Sequence, residues 1–123
     1  MPWELKSDRP IYTQLIDQIK LMIFSGAYPP GSRLPSVRDM AKEAAVNPNT
    51  MQRALAKLEE DSLIITHRTS GRSITEDTRM VELAKNKLAQ EQISEFLEKM
   101  QLMGFEQKEI LTIINNMVKE MKK

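Results

Sequence analysis

Apolar positions along this chain change period twice, and each change marks a boundary. From Pro10 to Ser25, Tyr12, Leu15, Ile19 and Met22 step by three and four, with Ile16 and Ile23 beside them. That is the spacing of one helical face, and Gly26 marks its end. Val37, Met40, Ala41 and Ala44 form a second, narrower stripe, and Met51, Leu55 and Leu58 a third. The period then shortens, because Leu63-Ile64-Ile65-Thr66 is β-branched and Ser73-Ile74-Thr75 follows a turn-prone stretch, which predicts two short strands in a hairpin. From Asp77 to Leu102 there is neither Gly nor Pro. Val81, Ala84, Leu88, Ile93, Phe96, Met100 and Met103 mark a long helix, about 39 Å at ~1.5 Å per residue. Gly104 breaks it, and Ile110, Ile113, Ile114, Met117, Val118 and Met121 make a last stripe.

Helix starts can be read residue by residue. Ser36 followed by Asp39 has the spacing of a capping box, with the hydroxyl accepting from a first-turn amide and the carboxylate reaching back to the Ser36 N–H. Asn47 is a favoured cap, and Pro48 sits where a missing N–H costs nothing, so a helix should begin at Pro48. The turn Tyr28-Pro29-Pro30-Gly31 brings the first helix round onto this capped pair. The three helical faces, with Leu63 and Ile65, should close one core, and Trp3 and Leu5 should cover its edge.

The polar faces left outside suggest chemistry. On the helix from Pro48, Asn49, Gln52, Arg53 and Lys57 fall opposite the apolar stripe. Asn or Gln can pair with adenine through two hydrogen bonds, and Arg can do the same with guanine. Downstream, Arg68 and Arg72 flank a tip that contains Gly71, and no acidic residue lies between Ser62 and Thr75. A basic hairpin of this kind can lie along a sugar-phosphate chain, where Gly71 offers a positive φ or a close approach.

Together these motifs resemble the GntR-type bacterial transcription regulators. Pro10-Ile11-Tyr12 and Pro30-Gly31-Ser32-Arg33-Leu34-Pro35-Ser36-Val37-Arg38 match the family's pattern without a gap, and the likeness runs from residue 10 to residue 75. The resemblance implies a winged helix-turn-helix in which Arg38, Asn49, Thr50, Arg53 and Gly71 contact operator DNA, with His67 near the wing as a further candidate. Two positions depart from the pattern: Asn47-Pro48 stands where many relatives carry Ser-Arg, and Thr69-Ser70-Gly71 where the wing usually reads Gly-x-Gly. The short C-terminal extension resembles that of the YtrA-like subgroup, which implies a small helical domain rather than a large sensor.

The expected architecture is therefore mainly α with a small β-hairpin. Residues 1–75 form the winged helix-turn-helix and residues 76–123 a two-helix hairpin whose surplus apolar surface meets a second copy, giving a homodimer on double-stranded operator DNA. Charge agrees mildly: ten basic residues face eight acidic ones up to residue 75, against eight and nine beyond it.

Several chemistries are excluded or unsupported. The chain has no cysteine, so neither a disulfide nor a thiolate metal site is possible. Its single histidine, His67, lies beside arginines, and no Ser-His-Asp set, phosphate loop or HExxH pattern accompanies it. No enzyme activity, cofactor or metal is expected. Met100, Met103, Met117 and Met121 fit adaptable packing rather than a thioether copper site. The opening Met-Pro-Trp-Glu-Leu-Lys lacks the apolar core of a signal peptide and no run reaches membrane-spanning length, so a cytoplasmic location and no membrane partner are expected. The alternative reading is a protein-interaction adaptor with a weakly specific winged domain. A small-molecule effector stays open, and its pocket would have to lie between subunits or between domains.

Overall fold

A computed structural model describes residues 3–122; Met1, Pro2 and Lys123, at the ends of the two expected domains, lie outside the described residues. The order of elements is α1 (Ile11–Phe24), α2 (Val37–Ala44), α3 (Pro48–Glu60), β1 (Ile64–His67), β2 (Gly71–Ile74), α4 (Thr78–Leu102) and α5 (Gln107–Met121). The chain divides into two compact units, one running to Lys85 and the other starting at Asn86. The first unit thus reaches past Thr75, because Val81 and Ala84 at the start of α4 pack against its core.

That core is built by the stripes read from the sequence. Leu15, Ile19, Met40, Met51, Ala54, Leu55 and Leu58 are each no more than 1 % exposed. Burial of each large side chain contributes about 1.5–3 kcal/mol, so this cluster is what holds the three helices together. The caps work as expected at two helix starts. The Ser36 hydroxyl accepts from the Asp39 N–H at 3.1 Å, and the Asn47 side chain accepts from the Asn49 N–H at 2.8 Å. The return bond from Asp39 is not among the hydrogen bonds of α2, so only half of the expected box forms there. A full box instead opens α5, where Glu106 and Glu109 cap each other's backbone.

Between α2 and α3 the chain turns on Ala45, which takes a left-handed φ of 56°. This is an uncommon conformation for a side chain with a Cβ, and its N–H is held by the Lys42 carbonyl at 3.2 Å. The hairpin pairs Ile64 with Ile74 and His67 with Gly71, antiparallel. On the far edge of β2 the segment Ser32–Leu34 adds a third line of pairing, with Leu34 N–H to Arg72 O at 2.9 Å and Ile74 N–H to Ser32 O at 2.8 Å. Leu63, Ile64 and Ile74 enter the core. Ile65, which the sequence places inside, is 43 % exposed. The correction follows from the period of two along a strand: once Ile64 faces inward against Ile74, Ile65 must face out.

The N-terminal segment is held in an unexpected way. Gln14 is 2 % exposed. Its side chain accepts from the Lys6 N–H at 2.7 Å and donates to the carbonyls of Lys6 and Arg9. Gln18, one turn on, makes the same two-way pairing with the backbone of Glu4. Two glutamine amides thus act as surrogate strand partners, which keeps a buried polar side chain satisfied and fixes Trp3 and Leu5 against the core.

The second unit is built differently. Helix α4 contains no buried residue and α5 contains one, Ile110. The two helices are joined through Gly104, at φ +94°. The two elements of the expected C-terminal helical hairpin are both present. Among the described residues no helix is long and apolar enough to cross a membrane.

Candidate nucleic-acid interface

Helix α3 presents the face that the sequence singled out. Its inner side buries Met51, Ala54, Leu55 and Leu58, and that burial fixes the rotation of the helix. Asn49, Gln52 and Arg53 are consequently exposed, and Thr50 is half-buried in the first turn. The side-chain amides of Asn49 and Gln52 have no hydrogen-bond partner among the described residues. They are free to bond a ligand, held by a helix whose apolar side is locked.

Arg53 is not simply solvated. Its guanidinium carbon lies 4.7 Å from the centroid of the Tyr12 ring, at the start of α1. A cation over an aromatic face gains about 0.5–1 kcal/mol at an exposed site, enough to bias the rotamers of a flexible side chain. Sequence reasoning found Arg53 and Tyr12 separately and missed their contact, because they are far apart in the chain and no periodicity links them.

Lys57 is placed differently. Its ammonium approaches Asp61 at 3.4 Å and Glu60 at 3.9 Å near the end of α3. It is the one α3 candidate with acidic partners, which screen its charge locally. Arg38 is exposed in the first turn of α2. That turn also offers the free amides of a helix N-terminus, which attract anions.

The hairpin carries the remaining candidates. Gly71 has a φ of +85° and open space where a Cβ would stand, so it is required by the turn and not by a neighbour. Arg68 is exposed at the tip, and exposed His67 is hydrogen-bonded through Nε2 to the Ser73 Oγ at 2.7 Å. Arg72 is half-buried, and its Nε has no hydrogen-bond partner among the described residues. It lines a cleft of about 360 Å³ at the root of the hairpin, shared with Arg33, Pro35, Ser36 and Val37. Arg33 donates from Nη2 to the Ser70 carbonyl, tying the hairpin tip to the segment before α2. This brace was missed by the sequence reading, in which Arg33 stands only within the motif from Pro30 to Arg38. Among the described residues no group of His, Cys, Asp or Glu side chains is arranged to hold a metal ion.

Comparison with known proteins places these features in context. The sequence signature described as "Bacterial regulatory proteins, gntR family" matches residues 11–74. The uncharacterized HTH-type transcriptional regulator YhcF of Bacillus subtilis is 37 % identical over 108 residues, which cover 88 % of this chain and 89 % of YhcF. The HTH-type transcriptional repressor YtrA of the same organism is 38 % identical over 94 residues, 75 % of this chain and 72 % of YtrA. Among solved structures, a GntR family transcriptional regulator from Listeria monocytogenes superposes with a TM-score of 0.86 at 36 % identity, covering 91 % of this chain and 98 % of that one.

Proposed function

Because the chain belongs to the gntR family of bacterial regulatory proteins and is a YtrA-like transcriptional regulator, we propose that it works as a homodimeric repressor that reads a two-fold operator. In this reading Asn49, Gln52 and Arg53 meet base edges in the major groove, with Thr50 on the neighbouring phosphate. Arg38, Arg68 and Arg72 supply phosphate contacts from α2 and the wing, and Gly71 lets the wing backbone lie close to the strand. His67 and Lys57 are lesser contributors, since one is bonded to Ser73 and the other faces Asp61.

The observation that carries the reading is the pair of unpartnered amides at Asn49 and Gln52 on a rotationally fixed helix. The dimer is supported by the second unit, where Leu102, Leu111, Met117 and Met121 are 88, 61, 61 and 82 % exposed. Apolar surface of that extent calls for a partner, and a second copy related by a dyad would set two α3 helices about 34–36 Å apart. Repression is the role named for YtrA.

Selection of bound fragments from the genomic DNA of the source organism, followed by affinity measurement at matched salt, tests this. The expected result is an inverted repeat bound at least about 10³-fold more tightly than random duplex. Binding that falls steeply with salt but does not discriminate sequence would instead fit the adaptor alternative.

A further inference from the structure

A second cleft in the winged unit is not used by the reading above. It has a volume of about 390 Å³ and is lined by Trp3, Met22, Ala27, Tyr28, Pro35 and Glu43. That volume falls within the ~300–1,000 Å³ of ordinary small-molecule sites. Its walls are two aromatic side chains and a thioether, and its one ionised group is the Glu43 carboxylate. Among the described residues the Glu43 side chain has neither an ion-pair partner nor a hydrogen bond. Its charge is nevertheless felt in the cleft: burial first, and the Glu43 carboxylate second, push the Tyr28 hydroxyl above its ordinary range.

The walls are fixed before any ligand arrives. Trp3 is set by the pairing of Gln18 with the Glu4 backbone immediately beside it. Tyr28 is set by its own N–H, which donates to the Met22 carbonyl at 2.9 Å. Aromatic faces carry negative potential above the ring, and a lone carboxylate adds a full negative charge. An anion would be repelled here, and a neutral ligand would gain nothing from the carboxylate.

We propose that this cleft is a binding site for a small organic cation, of the alkylammonium class, held against Trp3 and Tyr28 and neutralised by Glu43. An occupant would touch α2 through Glu43, and through Pro35 the residue that precedes the Ser36 cap. Any resulting change in operator affinity rests on the function proposed above, whereas binding itself does not.

Trp3 is the single tryptophan of the chain, so tryptophan emission reports on this one wall of the cleft and on the core edge it covers. The full chain is titrated with tetramethylammonium chloride, with sodium chloride at the same ionic strength and neopentyl alcohol, a neutral molecule of similar shape, as references. The expected result is a saturable emission change in the millimolar range for the cation. Glu43→Gln, an exposed position whose fold is checked by circular dichroism, should weaken it at least about tenfold, a factor worth ~1.4 kcal/mol. Tyr28→Leu should weaken it as well, while Tyr28→Phe keeps the ring and should retain it. A response no different from sodium chloride, an equal response to neopentyl alcohol, or an unchanged midpoint in Glu43→Gln would each overturn the proposal. None of these readouts involves DNA, so failure of the repressor reading would leave them intact.

Discussion

In the winged unit nearly every periodic apolar residue is buried, from Leu15 in α1 to Ile74 in β2, whereas in the second unit the same kind of periodicity ends in solvent, with Leu102, Met103 and Met121 largely exposed. Both regions have an amphipathic helix, and α5 is as regular as α3. The difference is in what each helix meets. Three helices and a hairpin enclose a shared volume, so the winged unit satisfies its own apolar faces and leaves polar groups free for an external ligand. The two helices of the second unit bury only Ile110, so most of their apolar side chains are themselves surface to be bound. Within one chain, then, polar groups are presented outward in one region and apolar groups in the other, and the proposed partners differ accordingly: a duplex and a second copy.

The largest effect should come from removing the apolar surplus. Met117→Glu combined with Met121→Glu alters two side chains one helical turn apart, 61 and 82 % exposed. The expected outcome is a monomer by sedimentation, with the helix content of the winged unit unchanged. Operator affinity should fall by about 10²-fold or more, because a dimer binds its second half-site as an intramolecular event. A variant that keeps the mass and operator affinity of the unmodified protein would erase the contrast between the two regions.

Next in size is a matched pair of leucines. Leu58 is fully buried and Leu102 is 88 % exposed. Leu58→Ala should lower unfolding stability by about 2–5 kcal/mol at any protein concentration, since it opens a cavity in a core that belongs to one chain. Leu102→Ala should have little effect in dilute solution and a measurable one only where copies associate, because association stabilises by mass action. Denaturant titrations at two concentrations separate the cases. Equal losses for the two variants would mean that Leu102 is part of a single-chain core.

Much of the winged unit was legible in the sequence because its signals are local. Ser36 and Asn47 are caps, Pro48 sits in a first turn, and the stripes of α1, α2 and α3 have the period of a helix. Such features are decided within a few residues, and the structure keeps them. What was illegible is decided between segments. Nothing near Arg33 announces that its guanidinium will brace Ser70, and nothing near Gln14 announces a clamp on Lys6 and Arg9. The hairpin shows the limit well: Leu63-Ile64-Ile65 is apolar throughout, so only its pairing with β2 decides that Ile64 goes inside and Ile65 outside. The same holds for the interface candidates. Asn49 and Gln52 could be named from helical phase, but Lys57, equally polar and on the same helix, is drawn to Asp61 by a local ion pair that the phase argument did not weigh.

The smallest expected effect is the most specific to the DNA-facing side of the comparison. If Arg53 reads a guanine, Arg53→Ala should cost about 1–3 kcal/mol on the cognate operator and relax preference at one position. Tyr12 then serves as a positioning residue, since its ring lies 4.7 Å beneath the guanidinium. Tyr12→Phe keeps the aromatic face and should leave discrimination unchanged. Tyr12→Leu keeps apolar bulk but removes that face, and should reduce discrimination at the same base pair by about 0.5–1 kcal/mol. Tyr12 also packs against the core, so a general loss of folding must be separated from lost positioning. A double-mutant cycle does this: in an Arg53→Ala background Tyr12→Leu should have no further effect on discrimination, because there is no guanidinium left to orient. An equal loss in both backgrounds would assign Tyr12 to packing alone and leave Arg53 to find its base unaided.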